Sequence, residues 1–354
     1  MSVIRRAAPF MLMLSWMASA QLSKEAEAAR RNNSPQAISL YQRALKADPH
    51  WQDGWWALGT LEYQKDHYPQ CRDAFARLSE LAPASGSALA MLGLCENGNK
   101  EYQSALDHLK RGLEQGVDGE AIVKTARYHL ARLYTRAGMF EPALGVIAQL
   151  TETVAENPAY LQLAGVAALW MPVFPEDVAP SDRELVYLAG LSFWHAGSRY
   201  SAGAEKEMEQ LVSLYPSVRG VHYLRGSFEL RNNPDQAITE FETELKNSPA
   251  HPGAVAALAA EYLRRGDAAK GLPYARRLVE ILPESVASHA LLGRLLAESG
   301  DIAGGVAELE KARDLDPADP QPHISLASLY AKAGRTSDAA REREAFMRSK
   351  DEHK

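Results

Sequence analysis

The feature that most constrains this chain is a fixed spacing of prolines. Pro249, Pro283 and Pro317 stand 34 residues apart, and Pro49 and Pro83 repeat the interval near the other end. Within each interval the same residue types return to the same places. Leu258-Ala259, Leu292-Gly293 and Leu326-Ala327 continue to Tyr262, Leu296 and Tyr330. Gly266, Gly300 and Gly334 follow, then small residues at Gly271, Gly305 and Ala339. Apolar residues at i, i+3, i+4 and i+7 describe a helix with one buried stripe. The glycine turns the chain into a second helix, which needs a small side chain where the two cross. Proline lacks an N–H and cannot continue a helical ladder, so it ends the second helix. No such pair buries its apolar face alone; only stacking on the next pair closes a core.

Units of this kind begin near Gln52, Gly86, Lys124, Val218, Pro252, Val286 and Pro320. Trp55, Leu58 and Gly59, closed by Phe75 and Pro83, have the W-x-x-L-G opening and the ending of the tetratricopeptide repeat, and the pattern resembles that family over nearly the whole chain. Leu92, Gly93, Tyr102 and Ala105 match in the next unit, and a partial unit from Gln21 keeps Ala37, Tyr41, Ala44 and Pro49. The resemblance implies an all-α fold, a right-handed α-solenoid of stacked helix-turn-helix repeats. The register lapses between 157 and 182, where Pro172, Pro175 and Pro180 exclude a helix. The expected organisation is an N-terminal solenoid over 21–171, a Pro-rich junction loop over 172–182 and a C-terminal solenoid over 183–350.

Residues 1–20 read as an export signal. Arg5 and Arg6 supply the positive segment, Ala7 to Met17 an apolar run too short to span a bilayer, and Ala18-Ser19-Ala20 a small-x-small cleavage site. The expected location is therefore periplasmic or secreted, with no membrane span after signal removal.

Composition narrows the function. The net charge is −6 with no basic stripe, which argues against nucleic acid as a partner. No phosphate-binding glycine loop, no H-E-x-x-H and no nucleophile elbow is present, so neither catalysis nor a cofactor nor a metal is expected. His289 and His323 share one repeat position, that of Trp55, and read as packing residues rather than ligands. Glu240, Glu242 and Glu244 read as charge patterning on a solvated helix face.

The positions turned about 100° from the core stripe of each first helix form the face that, in the family, lines a concave groove and binds extended or helical peptides. Here it would present Trp56, Tyr63, Tyr128, Arg132, His222 and Arg294, types that carry interface energy. Trp56 and Tyr128 equally suit packing against neighbouring repeats. The family's carboxylate-clamping lysines and asparagine are not reproduced at Thr125, Tyr128, Arg132, Ala256 and Ala260. In the junction, Trp170 and Phe174 would anchor a partner, fold over the groove, or plug the join. Cys71 and Cys95 lie on helices of neighbouring repeats and form either a disulfide or two buried thiols. The expectation is a non-catalytic scaffold holding a protein or peptide in its groove. The alternative is a structural subunit of a cell-envelope assembly, held by the solenoid ends and the 172–180 loop.

Overall fold

A computed structural model describes residues 20–153, 155–197 and 201–352, so the expected export signal lies almost wholly outside the described residues. Among the described residues there are α-helices, two short 3-10 turns and no strand. The helices come in pairs: α1 (20–31) with α2 (Ala37–Ala47), α3 (Gln52–Tyr63) with α4 (Tyr68–Leu81), α5 (Gly86–Gly98) with α6 (Tyr102–Gln115), and α7 (Glu120–Arg136) with α8 (Phe140–Thr151). After an unpaired α9 (Pro158–Ala168) come α10 (Arg183–Gly197) with α11 (Ser201–Leu214), α12 (Val221–Glu229) with α13 (Pro234–Asn247), and α14 (Pro252–Arg264) with α15 (Ala268–Ile281). The series ends with α16 (Val286–Glu298) paired to α17 (Ile302–Leu315) and α18 (Pro320–Lys332) to α19 (Thr336–Glu352). Successive pairs pack on one another, as in α4 against α5 and α15 against α16. Within each unit neighbouring first helices also touch, α5 on α7 in one and α14 on α16 and α16 on α18 in the other, so each unit carries a first-helix face of its own.

The chain divides into two compact units. One holds the described residues up to Ala167 together with Met171–Val178; the other holds Ala168–Trp170 and the described residues from Ala179 onward. The Pro-rich stretch is not one free loop, because its first part packs with the N-terminal unit. It also contains 3-10 turns at Pro175–Asp177 and Pro180–Asp182, where proline satisfies the first turn without a donor.

Stereochemistry fixes the repeat. Gly59, Gly93 and Gly293 admit their second helix closely: a Cβ would lie 2.6 Å from Phe75, 2.8 Å from Leu109 and 2.8 Å from Leu309 respectively. The turn between paired helices needs one left-handed residue, supplied by Gly266, Gly300 and Gly334 at φ 70°, 95° and 74°. In two N-terminal repeats the same position is Asp66 at φ 58° and Lys100 at φ 63°. A Cβ makes that conformation costly. Lys100→Gly is therefore expected to raise the urea unfolding free energy by about 1 kcal/mol, and unchanged stability would contradict the strain.

Candidate functional site

On the N-terminal unit the exposed stripe of the first helices converges on Arg132 of α7. Its guanidinium is centred 5.8 Å from the Tyr128 ring and 4.8 Å from the Phe174 ring, and it ion-pairs with Glu176. Phe174 also stacks edge-on to Tyr102 with centroids 5.3 Å apart, and Tyr128 to Tyr160 at 5.4 Å. Behind Arg132, His129 Nδ1 lies 3.3 Å from Arg132 Nη1 and 3.1 Å from Asn97 Nδ2 of α5. Both neighbours are donors, so this nitrogen accepts. Burial, seconded by the Arg132 charge, accordingly pulls the His129 pKa down to about 4. Phe174 is buried and Glu176 is exposed. The segment that carries them thus lies over part of the first-helix face.

On the C-terminal unit the corresponding face is open. A cleft of about 430 Å³ lies along α16 and α18, lined by Arg294, Gln321, Ile324, Ser328 and Lys332 among others. All five are exposed, and Ile324 is 42% exposed. Among the described residues neither Arg294 nor Lys332 has an ion-pair partner. The only acid in the lining is Glu298.

The other expected site residues fall elsewhere. Trp56 is half-buried and meets Phe75 edge-on at 5.5 Å, and Tyr63 meets Tyr68 at 6.2 Å, so both rings serve partly as packing. Trp170 is buried in the C-terminal unit between Tyr223, at 5.6 Å, and His251, at 4.4 Å. Cys71 and Cys95 form a disulfide with Cα atoms 5.7 Å apart, joining α4 to α5.

His222 is a correction. It is buried, its Nε2 lies 2.9 Å from the Pro216 carbonyl and its Nδ1 2.6 Å from Glu240. His289 makes the same pair of contacts with Pro283 and Glu308, and His323 with Pro317 and Glu342. Trp55 likewise donates to the carbonyl of Pro49, six residues before it. His222 thus occupies the packing position, because Pro216 and Pro249 are 33 residues apart and the register of that repeat is one residue short. The reading of Glu240, Glu242 and Glu244 as one solvated group is corrected too. Only Glu242 is exposed; Glu244 is fully buried, and its carboxylate accepts from the backbone N–H of Gly220 at 2.9 Å and of Tyr223 at 3.3 Å, capping α12. Sequence reasoning missed Asn97, although it stands 34 residues after Tyr63 on the same repeat position, and it missed His129, Glu176 and Lys332, which fall outside the positions it tracked.

The tetratricopeptide repeat model matches residues 27–70, 57–120, 229–286 and 290–344, more than half of the chain. The chain belongs to the tetratricopeptide repeat family. Cellulose synthase operon protein C of Xanthomonas axonopodis pv. citri (strain 306) is 27% identical over 146 residues, 39% of this chain. The match spans 10% of that relative's length. Among solved structures, MamA 41-end from Desulfovibrio magneticus RS-1 is 21% identical with a TM-score of 0.44, covering 48% of this chain and 96% of that one. The MamA RS-1 ArsTM double mutant is 19% identical with a TM-score of 0.45 over the same shares. Tetratricopeptide repeats are protein-interaction modules, and this chain is in general terms an interaction scaffold. No described helix is long and apolar enough to cross a membrane. No group of three or more His, Cys, Asp or Glu suited to a metal ion occurs among the described residues.

Proposed function

We propose that this tetratricopeptide protein is a non-catalytic scaffold that binds a protein segment on its first-helix face, with the cleft along α16 and α18 as the principal contact. The observation that carries the reading is the pairing of two unneutralised cations, Arg294 and Lys332, with an exposed isoleucine in one cleft. Most basic residues nearby are tied up: Arg264 and Arg265 pair with Glu261, and Arg313 with Glu342 and Asp314. A surface that keeps two cations unpaired beside apolar area suits an acidic segment with an apolar side chain. Export to the periplasm or beyond is part of the proposal. It is supported by the n-region, apolar run and cleavage pattern of residues 1–20 and by the disulfide, which persists in oxidising compartments.

The test is affinity recovery of partners from the native cell extract with wild-type and variant baits. Arg294→Glu combined with Lys332→Glu is expected to cut recovery about tenfold. Lys246→Glu, on the second helix α13, is expected to leave it unchanged. Equal recovery with the paired reversal would remove the cleft from the function.

A further inference from the structure

The N-terminal unit carries what the open cleft lacks, an occupant. We infer that the segment Pro172–Val178 is an internal ligand of the first-helix face at Arg132, and that it holds the place of an extended partner segment carrying an aromatic residue, a proline and an acid in succession. The inference rests on the reading that the first-helix face is the binding surface. It adds the chemistry recognised on the N-terminal unit and the device that guards it.

The chain's own occupant defines that chemistry. Phe174 is buried against the Arg132 guanidinium and Tyr102, and Glu176, two residues on, neutralises the same guanidinium. Pro175 between them is buried and fixes the backbone so that both side chains reach one arginine. An arginine held between aromatic rings while pairing with a carboxylate is a composite recognition site, which a lysine would not reproduce.

Two observations make the occupant displaceable rather than part of the core. First, its backbone is not stitched to the helices beneath it. The backbone bonds of Asp177 and Val178 run to Phe174 and Pro175 within the segment itself, and that of Val173 to Met171 just before it. Side chains alone hold it down. Second, the fit is incomplete: Nε of Arg132, the arginine that the segment contacts, is buried without a hydrogen-bond partner, as is Oδ1 of Asn97 behind it. A segment that satisfied Arg132 Nε would recover a cost that the internal one leaves standing. A tethered ligand competes at an effective concentration of about 1 mM. If the tethered segment has an intrinsic dissociation constant of about 0.1 mM for the face, an external segment then binds about tenfold more weakly than to an open face.

The experiment uses the full chain and a fluorescein-labelled peptide with the sequence of residues 171–182, followed by fluorescence anisotropy. Wild type is expected to bind weakly. Phe174→Ala with Glu176→Gln is expected to bind about tenfold more tightly. Adding Arg132→Gln to that background, or changing the peptide's glutamate to lysine, is expected to abolish the gain. Glu176→Gln alone, which spares the buried ring, guards against loss of fold and is expected to give a smaller gain in the same direction; circular dichroism checks each variant. Equal affinity for wild type and opened variant overturns the inference, as does a gain that survives Arg132→Gln. An opened variant that dimerises without taking up peptide also overturns it, by assigning the face to a second copy. None of these outcomes depends on Arg294 or Lys332. If peptide binding fails while the paired reversal still reduces partner recovery, the internal-ligand inference falls and the scaffold reading stands.

Discussion

Replacing Cys71 and Cys95 together with alanine is expected to lower the unfolding free energy by about 3 kcal/mol. The bond joins α4 to α5 across a sequence separation of 24 residues, and closing a loop of that size removes chain entropy chiefly from the unfolded state. Packing at the site does not require it. Gly271 and Leu295 are also 24 residues apart and hold the same two repeat positions in the C-terminal unit. There a Cβ on Gly271 would lie 2.7 Å from the leucine side chain. The disulfide thus replaces an ordinary contact between a small and a large residue, and two alanines fit with little rearrangement. Repeat arrays gain stability from nearest neighbours, so the loss should be confined to the N-terminal unit. Urea unfolding of the oxidised protein, the Cys71→Ala/Cys95→Ala variant and the reduced wild type gives the comparison. The last two should share a midpoint below the first, and a common midpoint for all three would show that the bond contributes nothing.

Much of this architecture is legible because it is enforced by stereochemistry that leaves marks in sequence. Gln52, Gly86, Pro252, Val286 and Pro320 each open a first helix where the proline period places them. Only glycine crosses Leu309 closely at position 293, and only a left-handed residue closes the turn at 266, 300 or 334. Where the marks are absent the reading slips. The helix expected near Lys124 begins at Glu120, since no proline closes the preceding repeat and Gly116 and Gly119 shape the turn. His222 went to the wrong face through a spacing one residue short. Glu244 looked solvated beside Glu242 because charge alone does not say which acid faces the orphan N–H groups of the next helix. The contact between Arg132 and Glu176 was the least legible, being 44 residues apart, outside the period and made by an irregular segment.

Stability is expected to peak near about pH 6.5 and to fall on both sides, with buried histidines setting the acid limb. His251 is fully buried against Trp170 and Tyr223, and its Nδ1 accepts from the Ala254 N–H to cap α14. Burial, with the charge of Arg219 in support, pulls its pKa down to about 3. In the unfolded chain a histidine takes a proton near about pH 6.5. Between those values the unfolded state binds the extra proton, so stability falls as pH falls. By about pH 5 the loss from His251 is roughly 2 kcal/mol. His129, half-buried beside Arg132 with a pKa of about 4, adds to the same limb. His222 and His108 work oppositely. Hydrogen bonds that they donate to the carboxylates of Glu240 and Glu96 respectively raise their pKa values against the effect of burial. Their contribution is complete below about pH 6.5 and disappears as pH rises through the raised values. Urea midpoints at about pH 5, 6.5 and 8 read both limbs while staying above the range in which most carboxylates titrate. His251→Asn keeps a capping acceptor but removes the titrating ring, so it should flatten the acid limb and leave the alkaline one in place. A variant with the wild-type acid slope would show that His251 does not carry it.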